Sequence, residues 1–437
     1  MRRRNPRGGV APGPATANAH GPAAIVRAVR GTASAAALCL GLIAAGATPA
    51  TSQNPPPRSP EPPGEALAAH APDDDGSFGH LAGRLQQGLD SARTAMGARG
   101  VSAAVILPDD RVWVGTSGEA RGGVPVTPET LFEIGSVTKT FTAALLVELD
   151  RDGIVSLHDT VGRWVPDVPD GRGVTLEMLL RHTSGIADVM AHPELIPTLI
   201  RDPARRWSSR ELLDFVGPRD FAPGESWKYS NTGYHLAGMA AEAATGRTVG
   251  ALLRQRFFEP VGLPRTFYAA TEAVVRPRAH AFLDVNEDGE PDDLTALIPA
   301  TSFHTAAGPA GAVMSTAEDL ARWIRALHTG EVLDSVGYAA LTELVDRPDG
   351  RRYGLGTLVD DLAGHTAYGH EGNSTGFSTA AWHLPDAGVT VAVLANIHAV
   401  KVRPVTRALL SALGLGRPEP APGAAPPPGR PSPIAHR

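Results

Sequence analysis

Two stretches of the chain carry apolar runs on either side of a tight polar turn. In VSAAVILPDDRVWVGTSG, residues 101–118, the turn is Pro108-Asp109-Asp110. In STAAWHLPDAGVTVAVLAN, residues 378–396, it is Pro385-Asp386-Ala387-Gly388. Each pattern predicts a β-hairpin, since runs of strand-forming residues bounded by turn residues fold back on themselves. A helix is predicted over residues 80–96 and a closing helix over 403–413. The stretch between the hairpins reads mostly as helix and loop. Strands at both ends with helices between predict an α/β domain of the α+β type. It has one antiparallel sheet, made from both chain ends and flanked by helices, plus a mostly helical insert. A site would lie between sheet and insert. No repeat of solenoid period is present.

Composition narrows the class. With 437 residues, 42% hydrophobic and 20% charged, the chain is globular and long enough for a sizeable core. A formal net charge of -6 and the lack of a long basic run exclude nucleic acid as a partner. At the N-terminus, Arg2, Arg3, Arg4, Arg7, Arg27 and Arg30 precede the apolar run AAALCLGLIAAGA, Ala35 to Ala47. That run suits a secretory signal and is too short for a membrane span of about 20 residues. Cleavage is expected after Ala47 or Ala50, with an uncleaved anchor as the alternative. Cys39, the only cysteine, lies in this run without the small residue before it that a lipoprotein site needs. The mature chain then has no disulfide. The expected organisation is a signal peptide over 1–50, a Pro-rich linker over 51–77, a folded domain over 78–416 and a disordered Pro-rich tail over 417–437. The expected location is extracytoplasmic, with no stable membrane span after cleavage.

One residue type then stands out. Lysine occurs only at Lys139, Lys228 and Lys401 among many arginines. Unlike a guanidinium, an amine can lose its proton, so a retained lysine is informative. Lys139 follows Ser136 by three residues in FEIGSVTKTFTAALL, which puts both on one face at a helix start. The helix N-terminus favours a developing oxyanion and a deprotonated neighbour. Two later elements complete the set. WKYSNTGYHLAG holds Tyr229-Ser230-Asn231 on a loop, and YGHEGNSTGF holds His370-Glu371-Gly372 at the start of what reads as an edge strand.

In this order the three elements resemble those of the serine penicillin-recognising enzymes. With tyrosine in the second and histidine in the third, the branch resembled is that of D-alanyl-D-alanine carboxypeptidases, class C β-lactamases and serine esterases. LLRHTSGI (179–186), GAVMSTAEDLARW (311–323) and YGLG (353–356) look like landmarks of the same family. The resemblance spans roughly residues 81–413. It implies an acyl-serine hydrolase without a cofactor, acting on a small peptide, ester or β-lactam, with cell-wall peptidoglycan as a further partner. It makes Ser136 the nucleophile, and Lys139 and Tyr229 the groups that share its proton. A phenol and an amine held together can each have a lowered pKa. Asn231 would hold the substrate amide and Lys139. His370 would donate a hydrogen bond near Tyr229. The N–H groups of Ser136 and Asn373 would form the oxyanion hole, with Glu371 and Gly372 contacting substrate.

Other readings were weighed against these. Taken singly, Tyr229 is a core aromatic and Asn231 a turn residue. A zinc helix would need histidine at position 374, which is Ser374. HTSG at 182–185 is not a Gly-x-Ser-x-Gly elbow, so His182 reads as structural. Asp284, Asn286, Asp288, Gly289, Glu290 and Asp292 match EF-hand loop spacing, but the closing carboxylate position is Thr295. An acidic turn is the simpler reading of that loop, with a structural calcium site as the alternative.

The chain departs from its resemblance where a carboxypeptidase holds a substrate carboxylate. The matching basic position falls near Leu358, and the third motif carries Glu371 where a hydroxyl or small residue is commoner. An esterase, amidase or D-aminopeptidase is therefore a rival to the carboxypeptidase expectation. A non-catalytic penicillin-binding module would lack the serine, lysine or tyrosine, and all three are present.

Overall fold

The computed structural model describes residues 76–168, 171–283, 291–297, 299–398 and 402–416. The expected signal segment and Pro-rich tail, and nearly all of the linker, lie outside these residues. The elements that place the site are seven helices and nine strands. The helices are α1 (Ser77–Met96), α2 (Thr138–Arg151), α3 (Leu176–Arg181), α4 (Asn231–Thr245), α5 (Thr301–Gly311), α6 (Ala317–His328) and α7 (Arg403–Ala412). The strands are β1 (Gly100–Ile106), β2 (Val112–Arg121), β3 (Val124–Pro125), β4 (Val345–Asp346), β5 (Arg352–Tyr353), β6 (Leu358–Leu362), β7 (His365–Ser374), β8 (Phe377–Leu384) and β9 (Val389–Ala395).

The nine strands form one antiparallel sheet in the order β3-β2-β1-β9-β8-β7-β6-β5-β4. The two chain ends meet where β1 pairs with β9, Val101 opposite Ala395 through Ile106 opposite Thr390. The hairpins are continuous apolar runs because both faces of the sheet are covered. Val101, Ala103 and Val105 of β1 face α1 and α7, with Val391, Val393 and Trp382 beside them. Ala104 and Ile106, with Ala392 and Leu394, face the larger core under the insert. Alternate residues of one strand thus serve two cores.

On the insert side, α6 lies on β1, β8 and β9. Thr316 caps its N-terminus by accepting from the Asp319 N–H. Leu320, Trp323, Ile324 and Leu327 face inward, and Glu318 and Arg322 pair on the solvent side. Trp323 stacks on Phe141 of α2 at 3.9 Å and donates its indole N–H to Thr140 Oγ1 at 2.8 Å. The helix that begins beside Ser136 is thereby fixed to the sheet through α6. Among the described residues no helix is long and apolar enough to cross a membrane.

This packing buries two histidines the site does not use. His328 of α6 and His383 of β8 stack with nearly parallel rings 6.3 Å apart. Burial, then the facing His383, lowers His328 to about 3. Burial, then Arg325, lowers His383 to about 4. An unfolded histidine titrates near about 6.5. Below that value the unfolded chain binds protons the fold refuses, so stability present at neutral pH is lost as pH falls toward 4. The slope is at most about 1.4 kcal/mol per pH unit for each histidine. Melting temperature should drop between pH 6.5 and 4, and His328→Phe should flatten the drop. An equal slope in the variant would show that this pair does not govern acid stability.

Candidate active site

Ser136 sits in a 3₁₀ turn, Gly135–Val137, that leads into α2. Almost every α2 side chain from Thr138 to Leu149 is buried, and Lys139 is wholly so. The lysine is no solvated helix face. Its Nζ donates to Ser136 Oγ at 3.0 Å, Asn231 Oδ1 at 2.8 Å and the Ala310 carbonyl at 2.8 Å. Burial brings its pKa down to about 7, against the opposing pull of the Asp188 carboxylate. The amine also lies 4.8 Å from the Tyr229 ring centre.

The Ala310 carbonyl is available because α5 ends at Gly311, directly after a break. Pro309 has no N–H, and Gly308 takes φ 43° and ψ -134°. This is a left-handed conformation that favours glycine. The break turns the Pro309 carbonyl to Thr142 Oγ1 at 2.7 Å and the next one to Lys139.

Asn231 is the first residue of α4. Asp188, a residue the motifs did not flag, accepts from its backbone N–H at 3.0 Å and from Nδ2 at 3.1 Å. These bonds turn Oδ1 toward Lys139. Tyr229 is half-buried, and its hydroxyl lies near the Ser136 side chain. Its phenol is not lowered, contrary to expectation. Burial, and then Tyr353, push it well above its ordinary value. The amine, not the phenol, therefore reaches its deprotonated form near neutral pH. His182 fixes this segment. It ends α3 in a left-handed conformation, accepts the Ser230 N–H at Nδ1 at 3.1 Å and packs on the Tyr229 ring at 4.2 Å.

Strand β7 brings the third element, and it is an interior strand between β6 and β8 rather than an edge strand. Beyond Gly369, however, β6 no longer pairs with it. Ser374 and Phe377 flank a two-residue turn and pair across it. The antiparallel alternation then turns the Asn373 N–H away from β8, into the cleft. A Cβ on Gly372 would stand 2.0 Å from the Ile134 carbonyl oxygen and 3.1 Å from the Ser136 nitrogen. Gly372 thus lets β7 close on the nucleophile's turn. The Ser136 and Asn373 amides come together as a result.

His370 departs from expectation. Its Nδ1 faces the Glu371 carbonyl, which can only accept, so Nδ1 carries the proton. Nε2 then accepts from the Tyr353 hydroxyl at 2.8 Å. Its hydrogen bonds go to Tyr353 and Glu371, not to Tyr229. Burial, then Lys139, lowers its pKa to about 3, so it is a neutral group. Glu371 is partly exposed, and Arg351 lies 3.5 Å from its carboxylate. Leu358 is buried in the core beneath the sheet and offers the cleft nothing.

The cleft runs from Ser136, Asn231 and Asn373 past Met190, Leu199, Phe303 and Ala307. Its polar wall is Glu133, His304 and Ser374. Of the candidate calcium ligands, Asp284, Asn286, Asp288 and Glu290 lie outside the described residues. Asp292 pairs with Leu283 in a short two-stranded ribbon. Among the described residues no three His, Cys, Asp or Glu side chains group as a metal site.

A family model described as Beta-lactamase matches residues 85–414. Penicillin-binding protein 4 of Amycolatopsis lactamdurans is 31% identical over 332 residues, which are 71% of this chain and 84% of that protein. A solved D-stereospecific amidohydrolase from Streptomyces sp. is 32% identical with a TM-score of 0.67, over 75% of this chain and 98% of that one. D-amino acid amidase from Ochrobactrum anthropi SV3, solved with L-phenylalanine amide, is 27% identical with a TM-score of 0.69, over 76% and 98%.

The site makes a kinetic prediction. If Lys139 takes the Ser136 proton, kcat/KM for acylation must rise with pH through about 7, as the amine becomes neutral. Asp188→Asn removes the charge that favours the ammonium, so the inflection should move to lower pH. Lys139→Arg keeps the charge but offers no neutral form, and acylation should fall by about 10²-fold or more. Near-normal acylation by a folded Lys139→Arg protein would rule out the lysine as base.

Proposed function

This chain belongs to the beta-lactamase family of serine hydrolases, and we propose that it acts by acyl-serine chemistry on small amides and esters of the D-amino acid amide kind. Ser136 Oγ attacks the carbonyl carbon and its proton passes to Lys139 Nζ. The oxyanion accepts from the Ser136 and Asn373 N–H groups. When the tetrahedral adduct collapses, the carbonyl–nitrogen or carbonyl–oxygen bond breaks. The leaving group takes a proton by way of the Tyr229 hydroxyl, which donates into the nucleophile's site while Lys139 resets. Water then attacks the acyl-enzyme by the same route in reverse, releasing acid and free serine. Export by the N-terminal apolar run places this activity outside the cytoplasm.

The observation that carries the substrate class is the difference between the two flanks of Ser136. On the Glu371 side, Leu358 is withdrawn into the core and Arg351 is shared among Asp349, Asp360 and Glu371. Arg351 is thus already engaged by carboxylates where a substrate carboxylate would arrive. On the other flank an apolar pocket suits a short acyl group. The two solved amide hydrolases, each matched over 98% of its length, agree with this reading. The carboxypeptidase reading, which the resemblance put first, comes second and draws on the nearness of Arg351.

Purified full-length protein should hydrolyse D-phenylalanine amide or short p-nitrophenyl esters at least about 10-fold faster in kcat/KM than a D-alanyl-D-alanine peptide. A chromogenic β-lactam assayed beside them reports β-lactamase activity. A fluorophosphonate should add one adduct to the peptide containing Ser136, and labelling that persists in Ser136→Ala would sink the mechanism. Glu371→Thr removes an acid and releases one guanidinium edge of Arg351. The peptide-to-ester ratio of kcat/KM should then rise. An unchanged ratio would mean this flank does not set specificity.

A further inference from the structure

The pocket on the acyl flank has apolar walls at Met190, Leu199 and Phe303 and one built carboxylate. Glu133 lies three residues before the nucleophile and 17% of its side chain is exposed. Its Oε1 accepts from His304 Nε2 at 2.8 Å, and its Oε2 accepts from the Ser374 hydroxyl at 2.7 Å. Burial would raise the pKa of this carboxyl, but His304, Ser374 and more distantly Arg278 outweigh it and hold the group ionised. A carboxylate has about four acceptor directions and these bonds use two. The free directions belong to a side chain that lines the same cleft as Ser136.

Position limits what such a group can receive. Ser374 follows Asn373, one of the two amides that meet the reacting carbonyl oxygen. Glu133, bonded to Ser374, is tied to the oxyanion side of the cleft that it lines with Ser136, where an α-substituent of a bound acyl portion would meet it. A metal ion would need further ligands, and one carboxylate with one imidazole does not supply them. We propose that Glu133 receives an α-ammonium group on the acyl portion of the substrate, so that the pocket selects amides of free amino acids with apolar side chains. Met190, Leu199 and Phe303 would take the side chain. This assignment rests on the amide-hydrolase reading and gives it a charge requirement at a named residue.

The test uses binding, which does not depend on turnover. In full-length Ser136→Ala, calorimetry would compare D-phenylalanine amide with 3-phenylpropanamide, which lacks only the amine. At about pH 6 the amine is charged, since an α-amino group titrates near about 8. The amine ligand should bind at least about tenfold more tightly. Adding Glu133→Gln should bring the two affinities within about twofold of each other. Equal affinities in Ser136→Ala, or a preference that survives Glu133→Gln, would overturn the proposal. Should Glu133→Gln not fold, repeating the comparison at about pH 10 decides in its place. The preference must vanish with the ammonium charge, and its survival there would overturn the proposal. Wild-type turnover of the same amides reports separately on the hydrolase reading. No turnover with an intact preference would sink that reading and keep the subsite.

Discussion

The structure is organised around an amine that has been taken out of water. Burying an ammonium is expensive unless it is paired and hydrogen-bonded. Lys139 resolves this with three acceptors from three separate parts of the chain: its own turn, α4 and the broken helix α5. None of these is a formal charge. The nearest anion, Asp188, bonds to Asn231 rather than to the lysine. The acceptors hold the group in place without a contact ion pair, so the amine is fixed while its pKa falls. Every helix that supplies an acceptor must dock correctly for this to happen. The positions of α4 and α5 against α2 are thus conditions of the chemistry as well as of the core.

The sheet meets this constraint from the other side. β7 approaches the Ser136 turn so closely that a single methyl on Gly372 would collide with the Ile134 carbonyl. The approach gathers two backbone amides beside a hydroxyl. The same strand carries His370, whose neutral ring is held by Tyr353 and by its own neighbour's carbonyl. A charged histidine there would add a second cation near Lys139. Its proton arrangement instead keeps the ring itself uncharged.

Local spacing carried the legible part of this molecule. The two hairpins and the helices at either end are set by runs and turns within about 20 residues, and they stand in the structure at those places. Ser136 and Lys139 share a turn, so their relation is fixed by helix geometry alone. Asp188, Tyr353, His304 and Arg351 were not legible. Each acts through a partner 17 or more residues away, and no periodicity records which polar side chain a fold will bring to which. Analogy of motif has His370 donating a hydrogen bond near Tyr229. It bonds to Tyr353 because β5 and β6 place that hydroxyl beneath the ring. The phenol of Tyr229 was expected to fall in pKa beside the amine. Burial outweighed the charge, a balance set by packing.

The carboxylates around the site follow the same logic. At an effective dielectric of about 20, a free carboxylate about 8 Å from Lys139 would favour its ammonium by about 2 kcal/mol, more than one pKa unit. Glu133, Asp188 and Glu371 all approach the cleft, and each is engaged: with His304 and Ser374, with Asn231, and with Arg351. Pairing spreads or offsets each charge before it reaches the amine. The type of partner matters. Arg351 is a permanent cation beside Glu371, whereas an imidazole and a hydroxyl hydrogen-bond Glu133 and leave two acceptor directions of its carboxylate open. The two flanks of Ser136 therefore differ in how their carboxylates are engaged, while the amine between them keeps a neutral form within reach of ordinary pH.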